Sequence, residues 1–61
     1  MLEDKIIREK IKDKVPDRKV RNVFFVCSSN DGRNVYAIVG NNNKIFGCAL
    51  VDVALNIEVV L

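Results

Sequence analysis

Hydrophobic and polar residues alternate along the last seventeen residues of the chain, from Ile45 to Leu61. Every odd-numbered position in this stretch holds an apolar side chain or a glycine. The charged and amide side chains of Asp52, Asn56 and Glu58 all stand at even-numbered positions. Alternation at a period of two is typical of a β-strand that buries one face.

This pattern predicts one long final strand. Seventeen residues far exceed the usual strand of about five or six, so a bend or bulge is expected at Gly47 or at residues 54–56. A helix over residues 50–61 is the alternative, because Leu50, Val53 and Ile57 also share a helical face.

The first part of the chain shows a helical pattern instead. Within residues 2–14, apolar side chains at helical spacing form a stripe among charged residues. Pro16 ends the predicted helix, because the residue before a proline is pushed out of the α region. Thirteen residues are marginal as an isolated helix, so docking onto the sheet must stabilise them. Residues 15–21 form a charged connector. The stripe consists of Leu2, Ile6, Ile7 and Ile11.

Between the connector and the final strand, the sequence predicts two more strands and two turns. The first predicted strand is Val20–Ser28, and its run from Val23 to Cys27 is apolar at odd- and even-numbered positions alike, which is typical of a central strand covered on both faces. Asp31-Gly32 predicts a type I′ hairpin turn. A second strand, 34–40, leads into a second turn at residues 40–43, where Gly and Asn tolerate left-handed conformations.

The predicted fold is therefore α+β: an N-terminal amphipathic helix followed by a three-stranded antiparallel meander with a long bent last strand. Residues 1–61 form one domain, with the meander over residues 22–61. The second strand can pair with only about half of the last one, which leaves an apolar edge that a second copy or another protein would cover.

These features predict a small non-enzymatic protein-binding module of the inhibitor or adaptor type, which forms a homodimer and binds a larger partner through its sheet edge or apolar face. Small proteins of this kind are frequent among phage or bacterial accessory proteins, and a self-assembling structural subunit is an alternative. A chain of this length buries only about 60% of its unfolded surface, so oligomerisation is an expected source of stability. The predicted partner-binding residues are Val53, Leu55, Ile57, Val59, Leu61 and Tyr36.

Charge is spread unevenly along the chain. The net charge is +2, but residues 1–21 carry eight basic and five acidic side chains, whereas residues 22–61 carry two basic and three acidic ones. Basic side chains can bind the phosphates of nucleic acids. A nucleic-acid-binding regulator that uses the N-terminal helix and connector is therefore the alternative function. Its predicted residues are Lys10, Lys12, Lys14, Arg18, Lys19 and Arg21.

Candidate chemistry is limited to one loop. Cys27 and Arg33 are separated by five residues directly after an apolar strand, and this loop resembles the phosphate-binding loop of the cysteine-dependent phosphatases. In that family the Cys is a thiolate nucleophile, while the Arg and the loop amides hold phosphate. Here Asn34 stands where the family has Ser or Thr, and a strand follows where the family has a helix.

The sequence therefore predicts a plain hairpin at this loop and no catalytic residues. Without histidine there is no Ser-His or Cys-His pair. Two cysteines alone make a zinc site uncommon, so no metal and no cofactor are expected. The charged N-terminus does not resemble a signal peptide and no apolar run suits a membrane span. A cytoplasmic location without membrane contact is expected, where thiols stay reduced.

Overall fold

The fold is one helix followed by a four-stranded antiparallel sheet. The computed structural model describes the backbone of residues 2–61 and the side chains of residues 4–61. Neighbouring strands pair in chain order, β1-β2-β3-β4. The predicted α+β class, with an N-terminal helix and an antiparallel meander, is confirmed. Its elements are α1 (Leu2–Lys14), β1 (Val20–Ser28), β2 (Asn34–Gly40), β3 (Ile45–Val51) and β4 (Ile57–Val60).

Helix α1 packs on the sheet through a narrow apolar stripe. Ile7 is 2% exposed and Ile11 is fully buried, four residues apart on one helical face. Val15 continues the same spacing just beyond the helix and is also buried. Ile6, predicted in the stripe, is 37% exposed, and the side chain of Leu2 lies outside the described residues. The stripe is thus narrower than predicted and extends one turn further.

The core lies between α1 and one face of the sheet. Strand residues that point towards the helix are buried there, and several hydrophobic side chains near the edges are partly buried against them. Tyr36, predicted as a partner-binding residue, is only 7% exposed because it lies on this face of a central strand. The buried strand residues are Val20, Tyr36, Ile38, Ala49 and Val51, with Val23, Phe46, Leu55, Ile57 and Val59 packed against them.

Three hairpin loops with the same hydrogen-bond pattern connect the strands. The loops begin at Ser29, Gly40 and Asp52. The N–H of each of these residues donates to the carbonyl of the residue four positions later, and its carbonyl accepts from the N–H of the residue three positions later. That residue has positive φ: Gly32 at 86°, Asn43 at 63° and Leu55 at 64°. This arrangement is a type I turn followed by a left-handed residue. The predicted hairpin at Asp31-Gly32 is confirmed, but its turn is not of the predicted type I′. A type I′ turn needs positive φ at both central residues, and here Gly32 has positive φ but Asp31 does not.

The third of these loops divides the predicted long last strand. Residues 52–56 reverse the chain, so that β4 pairs with β3 instead of extending beyond it. Leucine is unfavourable at positive φ, and the side chain of Asp52 holds the loop in place. Its Oδ1 accepts the N–H groups of Ala54 and Asn56, each at 2.9 Å. Residues 54–56, one of the two predicted bend sites, lie within this reversal.

The other predicted bend site is also irregular. The β2–β3 register shifts between Ile38, which faces Gly47, and Val39, which faces Ile45. Phe46 is therefore left without a partner on β2, as in a β-bulge. The bulge turns this ring towards the connector between α1 and β1.

We expect the substitution Ile11→Val to lower the free energy of unfolding by about 0.5–1.5 kcal/mol, because it removes a fully buried methylene. Ile6→Val makes the same chemical change at a more exposed position of the same helix, and should cost less than about 0.5 kcal/mol. Urea unfolding followed by circular dichroism measures both. Equal losses at the two positions would contradict the docking of α1 through Ile11.

We expect Asp52→Asn to lower the melting temperature at neutral pH. Hydrogen bonds from the Asn56 backbone, the Asn56 side chain and the Ala54 backbone hold the pKa of Asp52 below its usual value of 3.8. A lowered folded-state pKa stabilises the fold above the unfolded-state pKa, and this stabilisation is lost as pH falls through the folded-state pKa. The gap between wild type and variant should therefore shrink on acidification.

Thermal unfolding at about pH 7 and about pH 2 measures this gap. Asp17→Asn removes an exposed carboxylate in the connector and serves as the matched control. A gap of the same size at both pH values would contradict the role assigned to the Asp52 carboxylate.

Candidate functional site

The face of the sheet opposite α1 carries an apolar surface. Strand pairing aligns Phe24 with Ala37, Ala37 with Cys48, and Cys48 with Val60, in one row across all four strands. Ala37 is buried yet lies outside the cluster that packs against the helix, which places this row on the other face. Phe24 is 53% and Val60 45% exposed.

Two further rows complete this face. The second aligns Cys27, Val35 and Leu50 and ends at Glu58, and the third aligns Asn22, Val39 and Ile45. We call these three rows the open face. Its members are Phe24, Ala37, Cys48 and Val60; Cys27, Val35, Leu50 and Glu58; and Asn22, Val39 and Ile45.

Charge on the open face is neutralised within the molecule. The Arg33 guanidinium reaches from the β1–β2 loop to Glu58 at 3.2 Å and to Asp31 at 2.8 Å. Hydrogen bonds from the Ser29 hydroxyl and from Arg33 lower the pKa of Asp31, and the two carboxylates raise the pKa of Arg33. These ion pairs bound one end of the open face, and its central row is free of charged residues.

The first strand forms one edge of the sheet. A central strand was predicted here, because apolar residues occupy both odd- and even-numbered positions. Among the described strands, however, β1 pairs only with β2. Consequently three neighbouring side chains of this strand are 53–57% exposed: Phe24, Phe25 and Val26. The Phe25 ring still packs edge-on against the Tyr36 ring, with 5.8 Å between the ring centroids. An edge with three consecutive exposed apolar residues is a template for pairing. It adjoins the open face at Phe24.

The predicted partner-binding residues do not form one surface. Val53 lies at the tip of the β3–β4 loop and is 98% exposed, and Leu61 is 61% exposed. Leu55, Ile57 and Val59 are partly buried against the core, and Tyr36 belongs to it.

Sequence reasoning did not single out the open face, because it followed only the apolar residues at odd-numbered positions of the final segment. The even positions Cys48, Leu50 and Val60 are apolar as well, and that second apolar parity was the available signal.

The predicted basic residues are divided between several places. Lys10 and Lys14 flank a cleft beside Leu55, where the ammonium of Lys10 donates to the Leu55 carbonyl at 3.5 Å. Lys12 lies 3.8 Å from Glu9, and Arg21 is exposed within β1. Arg18 and Lys19 line a cleft together with the aromatic ring of Phe46.

The loop that resembles a phosphatase phosphate-binding loop is a hairpin. The N–H groups of Ser29, Gly32 and Arg33 are bonded inside the loop, to the Arg33 carbonyl, the Ser29 carbonyl and the Ser29 hydroxyl. The Arg33 guanidinium is held by two carboxylates. Three of the loop N–H groups and the arginine are therefore already engaged within the molecule. Among residues 4–61, no group of three metal-binding side chains occurs.

Comparisons with protein-family models, with curated proteins and with solved structures find no match for this chain. Within the described residues, no helix is long and apolar enough to cross a membrane. The surfaces themselves are therefore the basis for a functional assignment.

Proposed function

We propose that this chain is a small non-enzymatic protein-binding module that forms a homodimer through its open face. The observation that carries this proposal is the row Phe24, Ala37, Cys48 and Val60, which is apolar across the full width of the sheet. In monomeric proteins a contiguous apolar surface of this kind marks an interaction site.

A second copy suits the open face because both surfaces have the same character. Sheets pack face to face at about 10 Å when their facing side chains are apolar. Glu58, the one charged member of the three described rows, is paired with Arg33 and so requires no partner of opposite charge. Two open faces can therefore be buried against each other without leaving an unpaired charge, which would be costly.

The small size of the fold supports the same assignment. One thirteen-residue helix covers one face of a four-stranded sheet, and a chain of about 60 residues has little core of its own. Burial of the open face in a dimer would add the apolar area that the monomer lacks. The exposed β1 edge adjoins this face at Phe24 and offers the site for another protein, as in an inhibitor or adaptor.

The cellular setting belongs to the same proposal. Cys27 lies exposed on the open face, Cys48 is half-buried there, and neither forms a disulfide. Reduced thiols within an apolar contact surface suit the cytoplasm, where thiols are kept reduced. An accessory protein of phage or bacterial type is consistent with such a module.

We expect Phe24→Lys and Val60→Lys each to weaken dimerisation at least about tenfold, because each places a charge in the centre of an apolar contact. Val53→Lys introduces the same side chain at a loop tip that is 98% exposed and off the open face, and it should leave the dimer unchanged. Sedimentation velocity over a concentration series measures the monomer–dimer equilibrium.

The substitutions lie away from the helix-facing core, so circular dichroism should show folded variants. Val59→Lys is unsuitable for this test, because Val59 packs against the core and the variant would destabilise the fold itself. A wild-type chain that stays monomeric at high concentration would contradict the homodimer. A dimer that tolerates both Lys substitutions on the open face would contradict the use of this face.

A further inference from the structure

Two adjoining clefts run along the connector between α1 and β1. The larger, about 530 Å³, lies between the connector and the β2–β3 loop, where Phe46 and Gly40 form part of its wall. The smaller, about 360 Å³, continues past Pro16 and Val20 to the helix. Both are lined by Arg18 and Lys19. We call the two clefts together the basic groove, with the side chains Lys12, Arg18, Lys19, Asn41, Asn42 and Phe46.

Arg18, in the middle of this groove, contacts an aromatic ring. Its guanidinium carbon lies 5.3 Å from the centroid of the Phe46 ring, a cation–π distance. The ring lies close to Gly40, where an added Cβ would be only 3.1 Å from the Phe46 Cδ2 atom. The close approach of Gly40 and the bulge at Phe46 thus bring the ring beneath the Arg18 guanidinium group.

The groove is positively charged and its lining contains no carboxylate. Among the residues with described side chains, no acidic group lies within ion-pair distance of Arg18 or Lys19, and Lys12 is 3.8 Å from Glu9. The neighbouring clefts differ, since Asp4 lines one and Asp13 lines another. The two central cations of the groove are therefore available to an anionic ligand.

We propose that the basic groove binds single-stranded nucleic acid. Grooves of this class combine cations that follow the phosphate backbone with flat groups on which unpaired bases stack. Here a base would stack on the guanidinium plane of Arg18, which Phe46 supports from below. Phosphates would bind Lys19 and Lys12, and the amides of Asn41 and Asn42 can hydrogen-bond base edges or sugars.

The proposal favours a single strand over a duplex. In a duplex the base faces are stacked on each other and cannot reach Arg18, so only the phosphate contacts would remain. An extended single strand can lie along both clefts and present a base and successive phosphates together. This activity uses residues outside the open face and does not depend on dimerisation.

Fluorescence anisotropy with fluorescein-labelled single strands of about twelve nucleotides tests this directly. We expect Arg18→Lys, which keeps the charge but loses the planar group, and Phe46→Leu, which removes the supporting ring, each to weaken binding about five- to tenfold. Lys19→Ala should weaken binding as well and reduce the dependence of affinity on salt. Lys5→Ala removes the same charge from the helix outside the groove and should change affinity less than twofold.

Several outcomes would overturn the proposal. An equal loss in Lys5→Ala and Lys19→Ala would show diffuse attraction to positive charge instead of a groove. Binding of duplex as tightly as single strand would contradict the stacking contact. Adenosine monophosphate that displaces the labelled strand at equal concentration would identify a site for a free nucleotide. Arg18→Lys leaves the core untouched, so its result stays interpretable even if Phe46→Leu alters the fold.

Discussion

The packing of α1 on one face of the sheet is the interaction on which the rest of the structure depends. Ile7, Ile11 and Val15 supply one narrow apolar stripe, and a stripe of that width covers one face of a sheet only. The strands are nevertheless apolar on both faces through much of their length. The helix-facing side becomes the core around Ile38, and the opposite side becomes the open face.

The three hairpin loops determine how the strands surround that contact. Because each loop is short and places one residue at positive φ, every strand pairs with its neighbour in sequence and β1 and β4 become the two edges. The same loops set the position of charge. The first places Arg33 where it meets Glu58 of β4, twenty-five residues later, and the second forms one wall of the basic groove.

The open face and the basic groove use different parts of one small fold. The open face consists of strand residues on the uncovered side of the sheet, whereas the groove is built by the connector, the β2–β3 loop and the bulged Phe46. No residue belongs to both surfaces. The two proposed activities can therefore be tested by separate substitutions.

The sequence by itself determined the elements whose signals are local: the helix that ends before Pro16, the hairpin at Gly32 and the turn with Asn43 at positive φ. Leucine carries no turn signal at position 55, although the neighbouring carboxylate of Asp52 shapes the loop. Tertiary structure decided that the bend predicted at residues 54–56 is a complete reversal, because β4 turns back there to pair with β3. Tertiary structure also decided whether the odd- or the even-numbered apolar residues face the helix. Alternation shows that a strand has two different faces, but it does not show which of them is covered. The pairing of Arg18 with Phe46 joins residues far apart in sequence, and only folding brings them together.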